Sequence, residues 1–146
     1  IRRFRGRKLF FLALHPQEAI QMSDDIQRYP SSLPFPFSRA VRAGGFLFLS
    51  GQVPMSPTGE VVRGDIQTQT EAVMARIGET LESCGARFDQ LVKVTVWLSD
   101  MAHFAGFNEV YQRHVQGALP VRSTVTAGLA LGVDVEVEVQ AWVGEG

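Results

Sequence analysis

The sequence predicts an α+β domain in which two helices pack on one face of a single sheet, in the order β-β-(β)-α-β-α-β-β. Three observations support this fold class. The stretches "LVKVTVWLSD" and "VDVEVEVQAWV" alternate apolar and other residues with the period of a strand. Between Ile66 and Cys84, and again between Phe104 and Val115, apolar residues recur at helical spacing instead. The length of 146 residues suits one domain with its own core and is short for two.

The first 21 residues carry five basic side chains and one acidic one. They read either as a mitochondrial-type presequence or as an upstream extension, with Met22 as a natural start. The extension is the reading adopted, so residues 1–21 are set outside the fold and a single domain is expected over 22–146. Pro30, Pro34 and Pro36 mark an extended lead-in, because proline disfavours helix in the residue before it. "SRAVRAGGFLFLSGQ" reads as a hairpin turning at Gly44-Gly45. "PMSPTGE" is a loop, and "EVVRG" is a short third strand at most. Helical spacing begins at Asp65, through Ile66, Val73, Met74, Ile77, Leu81 and Cys84, and Gly85 supplies a C-terminal cap. "LVKVTVWLSD" is the next strand. Asp100 is an N-cap for the second helix, whose stripe is Phe104, Phe107, Tyr111 and Val115, with Gly117 at its end. Residues 118–143 read as two strands joined by a glycine-containing turn.

Hydrophobic residues make up 45% and charged residues 20%, an ordinary globular balance. No apolar stretch approaches the roughly 20 residues of a membrane span. Cys84 is the single cysteine, so no internal disulfide can form. It ends an apolar helical stripe and reads as a core residue. His15, His103 and His114 form no clear ligand pair, and no metal is expected. Outside the first 21 residues, nine of the 14 basic and fourteen of the 15 acidic residues remain, a net of −5. That lacks the basic footprint of nucleic-acid binding. A cytoplasmic location is expected, or a mitochondrial one if residues 1–21 are a presequence.

Strand parity sorts the side chains. Val92, Val94, Val96 and Leu98 form one apolar face, as do Val133, Val135, Val137, Val139, Ala141 and Val143; these should seat the helices. The other face carries Lys93, Thr95 and Trp97, with Asp134, Glu136, Glu138, Gln140 and Trp142. Arg122, Thr124 and Thr126 alternate with Val121, Ser123 and Val125. No third helix covers the face with both tryptophans, and a cyclic homo-oligomer would bury it. Arg122 and Glu138 would then lie near a subunit boundary. Two readings of these charges stay open. A surface pair of Arg122 with a glutamate would contribute about 0–1 kcal/mol. Alternatively, the guanidinium grips a carboxylate with two parallel hydrogen bonds while a glutamate holds a water.

The ordered segments "PFSRAVRAGGFLFLSGQVP", "FNEVYQRH", "ALPVRSTV" and "VEVEVQAWV" resemble the RidA/YjgF family of reactive-intermediate imine deaminases, from about Pro36 to Val143. The most specific elements are Pro120 to Ser123 and Ser50 to Gln52. The resemblance implies a chorismate-mutase-like fold, a homotrimer with sites between subunits, and hydrolysis of 2-imino acids and enamines such as 2-aminoacrylate to 2-oxo acids and ammonia. It implies no metal or organic cofactor, and neither nucleic acid nor membrane as a partner. By the same resemblance Arg122 holds the substrate carboxylate and Glu138 positions the attacking water, with Glu136 the fallback across a one-residue length difference. Gly51 offers a backbone contact, and Asn108 lies near the pocket. Phe37 stands where many members have tyrosine and Thr124 where many have cysteine, which bears on substrate preference. Rival readings are a non-catalytic trimer that binds small carboxylates or regulates a partner, a deaminase of a larger enamine such as 2-aminomuconate, and RNA cleavage, which the acidic core disfavours.

Overall fold

In a computed structural model, which describes residues 25–144, six strands form one mixed sheet with two helices. The basic segment 1–21 and Met22 lie outside the described residues. The elements are β1 (Ile26–Pro30), β2 (Ser38–Ala43), β3 (Phe46–Leu49), α1 (Ile66–Ser83), β4 (Leu91–Leu98), α2 (Phe104–His114), β5 (Val121–Thr126) and β6 (Val135–Trp142). Their order across the sheet is β1-β2-β3-β6-β4-β5. The order leaves β6 in the interior of the sheet, antiparallel to both β3 and β4.

The hairpin β2–β3 turns as its glycines require. Gly44 has φ of 58°, and a Cβ on Gly45 would lie 2.5 Å from the ring of Trp142. The α1 helix starts where Asp65 accepts a hydrogen bond from Thr68 N at 2.8 Å. It ends at Gly85, whose φ is 75°. Between them the predicted stripe of Ile66, Val73, Met74, Ile77 and Leu81 is buried, and Cys84 packs against the core half-buried. Asp100 caps a single 3-10 turn, Met101–His103, and α2 follows directly. Of the α2 stripe, Phe107, Tyr111 and Val115 are buried while Phe104 stays exposed.

Four expectations are corrected. First, the expected order began with the Gly44-Gly45 hairpin, but a strand precedes it: Ile26–Pro30 is an edge strand paired with β2. Its charged and exposed residues give no apolar alternation, as befits an edge. Second, "EVVRG" makes only an isolated bridge, Met55 to Val61. Third, a bulge sets Leu91 opposite Ala141 and Lys93 opposite Gln140. Leu91 therefore takes the core position and Val92 is turned out to 38% exposure. Fourth, β5 and β6 are not paired with each other. They flank β4, with β5 parallel to it and β6 antiparallel. The connection from 127 to 134 crosses β4 instead of making a tight turn.

The core lies between the sheet and the helices. Val94, Val96 and Leu98 meet Val135, Val137, Val139 and Ala141 there, each 1% exposed or less. Burial of such a side chain contributes about 1.5–3 kcal/mol, so this double row anchors both helices. Asp134 departs from the parity reading. Instead of joining the open face it reaches the helix layer, accepting from Ser99 Oγ at 2.6 Å and from Gln69 Nε2 at 2.9 Å.

Candidate functional site

The sheet register separates the predicted site residues into two groups. Arg122 is in register with Val94, and Val94 with Val139. Both valines are buried beneath the helices, so Arg122 projects towards the helix side. The neighbouring row runs from Ser123 through Thr95 to Glu138. Because faces alternate along a strand, Glu138 projects from the opposite face. Within one chain, the expected cation and carboxylate stand on opposite sides of the sheet.

On the helix side, β5 and α2 build a cation site. Arg122 Nη1 donates to Asn108 Oδ1 at 2.8 Å. Its guanidinium carbon lies 4.9 Å from the ring centroid of Tyr111, 5.6 Å from Phe107 and 5.7 Å from Phe104. Ring faces carry partial negative charge and hold the guanidinium without neutralising it. The spacing of Phe104, Phe107, Asn108 and Tyr111 places all four on one side of α2. Burial raises the pKa of the Tyr111 phenol, and nearby Arg122 opposes that shift. Among the described residues, no carboxylate lies within ion-pair distance of Arg122. Thr124 joins this group: it is in register with Val96, and its buried Oγ1 has no hydrogen-bond partner. An unpaired cation and an unsatisfied hydroxyl on one strand form a site suited to an anionic ligand.

The second group, Phe37, Gly51 and Glu136, lines a cavity of about 420 Å³. Main-chain bonds in both directions between Gln52 and Val137, at 2.8 and 3.0 Å, fix the "SGQ" segment against β6. Gly51 lets the Glu136 carboxylate lie close against the main chain: a Cβ there would fall 2.5 Å from Glu136 Oε1 and push it aside. Phe37 is exposed and stacks on Phe35, centroids 6.1 Å apart. Glu138 stands half-buried two residues beyond Glu136 on the same face. Burial first, and the charge of Glu138 second, raise the pKa of Glu136. A carboxyl whose pKa is raised is suited to donating a proton in general acid catalysis.

Two charged cavity residues were not singled out from sequence: Arg39 and Arg76. Arg76 adjoins the buried α1 stripe, one residue before Ile77 and three after Val73. A cation flanking an apolar stripe was the available signal. The two described histidines make surface contacts: His114 Nε2 lies 3.0 Å from Glu71 Oε2 and His103 Nε2 3.6 Å from Asp134 Oδ1. Among the described residues, no cluster of three or more His, Cys, Asp or Glu side chains could hold a metal ion, and no helix is long and apolar enough to cross a membrane.

Comparison with known proteins matches residues 30–143 to a family described as Endoribonuclease L-PSP. A RutC family protein of Pyrococcus horikoshii is 44% identical over 107 residues, covering 73% of this chain and 84% of the relative. The 2-iminobutanoate/2-iminopropanoate deaminase of mouse is 37% identical over 111 residues, covering 75% and 82%. The crystal structure of yeast Mmf1 superposes with a TM-score of 0.75 at 35% identity, covering 80% of this chain and 98% of that one.

Proposed function

Since the chain belongs to the YjgF/RidA family, we propose that it hydrolyses 2-imino acids and their enamine tautomers, of the 2-aminoacrylate type, to 2-oxo acids and ammonia. The observation that carries the reading is the placement of an unpaired, ring-flanked guanidinium on one side of the sheet and a carboxylate pair on the other. Neither half suffices in one chain, and a second copy brings Arg122 of one subunit to the carboxylates of the next. The proposed assembly is a homotrimer that buries the open face bearing Trp97 and Trp142.

In the proposed reaction, R–C(=NH)–COO⁻ and water give R–C(=O)–COO⁻ and ammonia. Arg122 grips the carboxylate with two parallel hydrogen bonds and fixes the neighbouring carbon, which supplies proximity. Lysine has the charge without the planar fork. Glu138 orients the water and accepts its proton as it attacks the C=N carbon. Glu136, whose pKa is raised by burial and by Glu138, delivers a proton to nitrogen to give the carbinolamine R–C(OH)(NH2)–COO⁻. Glu138 then passes the proton it took from water to nitrogen while Glu136 takes the hydroxyl proton. The C–N bond breaks, C=O forms, ammonia departs and both carboxyls return to their starting states. Free imines already hydrolyse in water, so two positioned charged groups suffice for a modest acceleration. Asn108 orients Arg122, and Phe37, Gly51 and Thr124 shape the volume around the substrate.

The test generates 2-imino acids with an amino-acid oxidase and follows 2-oxo acid release with and without the protein. Catalysed release that is lost in Arg122→Ala supports the reading. Equal rates with and without protein for all imines, together with binding of small carboxylates, would replace it with a non-catalytic binding trimer.

A further inference from the structure

The cavity that contains Glu136 has a second charged region with no role in the hydrolysis. Arg39 and Arg76 line it beside Gln52. Arg39 donates to Ser83 Oγ, and its buried Nε has no hydrogen-bond partner. Arg76 donates from Nε to Gln52 Oε1 at 3.1 Å and from Nη1 to the Ser56 carbonyl at 3.5 Å. Every one of these acceptors is neutral. Among the described residues, neither arginine has a carboxylate within ion-pair distance. Burial holds the Arg76 guanidinium below its ordinary pKa; Glu79 opposes the shift, and the like charge of Arg39 adds to it.

Glu136 lines the same cavity without neutralising either cation. Its shift is upward, caused by burial and Glu138, with no downward contribution from an arginine. Neither guanidinium is ion-paired to it. Phe37, Met55 and Leu131 add apolar wall to the same cavity. Two partly buried cations facing neutral acceptors are costly until an anion joins them.

We propose that Arg39 and Arg76 form an anion subsite that receives the distal acidic group of the substrate, which makes 2-imino dicarboxylic acids the preferred class. This rests on the proposed hydrolysis, and it assigns the two ends of one ligand. The first carboxylate sits on Arg122 of the adjoining subunit and the C=N carbon lies at the glutamates. The apolar wall follows the methylene spacer, and the second carboxylate meets Arg39 and Arg76.

Two measurements on the full chain separate the inference from the reaction it rests on. Calorimetry compares 2-oxoglutarate with 2-oxobutanoate as product analogues. The dicarboxylate should bind at least about tenfold more tightly, as charge-assisted hydrogen bonds imply. That ratio should shrink in Arg39→Gln and in Arg76→Gln, each checked for folding by circular dichroism. Kinetics then compares imines generated from acidic and from neutral amino acids, where the ratio of kcat/KM should favour the acidic class and fall in the same variants. Hydrolysis of neutral imines with no dicarboxylate preference in either measurement overturns the subsite and leaves the reaction standing. Dicarboxylate preference in binding without hydrolysis of any imine upholds the subsite and removes the reaction.

Discussion

Because Arg122 and Glu138 project from opposite faces of the sheet, two inactive proteins should repair each other. Arg122→Ala removes both hydrogen bonds to the substrate carboxylate. Each charge-assisted bond is worth about 1.5–3 kcal/mol. The pair therefore amounts to about 3–6 kcal/mol, or roughly 10²–10⁴ in kcat/KM. Glu138→Gln keeps the shape and removes the proton acceptor, with an expected loss of about 10²–10⁴. If each site takes its arginine from one subunit and its carboxylate from the next, random mixing of equal amounts restores about one site in four in any closed ring. The assay is imine hydrolysis after co-refolding, with native mass spectrometry to show that mixed assemblies have formed. Recovery to about a quarter of wild-type activity is expected. Mixed assemblies with no recovery would show that each site draws both groups from a single chain, and the argument from sheet faces would be wrong.

Two further outcomes follow from particular contacts. Gly51→Ala places a methyl carbon 2.5 Å from Glu136 Oε1. The carboxylate can swing aside, so stability should change by less than about 1 kcal/mol, whereas kcat/KM should fall about 10–10²-fold through misplacement; thermal unfolding and steady-state kinetics read the two effects. Asp134 has its pKa lowered by Ser99 and then Gln69. A lowered carboxyl stabilises the fold above its unfolded value and loses that contribution as pH falls through the folded one. Asp134→Asn should therefore cost about 1–3 kcal/mol at pH 7, and the difference in unfolding midpoint from wild type should close below about pH 4.

The helices and the central strands were legible because their burial imposes a period. The valines of β6 and the Val73–Leu81 stripe of α1 could be read directly, as could the start of that helix at Asp65 and its cap at Gly85. Strand β1 was not, since an edge strand buries little and "IQRYP" shows no alternation. Partnership between strands was beyond the pattern. Parity showed which residues of β5 alternate, but it could not show that β5 lies parallel to β4 or that Arg122 falls under α2. The bulge at Val92 shifted a register that strict counting assumed. Of the site, the residues named from the family resemblance occupy two places on the sheet, and Gly51 proves to be held against Glu136. Arg39 and Arg76 were missed because they come together from β2 and α1, far apart in sequence and without a motif.

The position of β6 between β3 and β4 has a consequence for how the molecule comes into being. It is the last of the eight described elements to leave a ribosome, yet two strand edges wait for it. Until it arrives, β1–β3 and the β4–β5 pair are separate half-sheets with open backbone edges, and such edges recruit other chains. Closure is thus a late, long-range event, and nascent chains lacking β6 are the species a chaperone would need to shield.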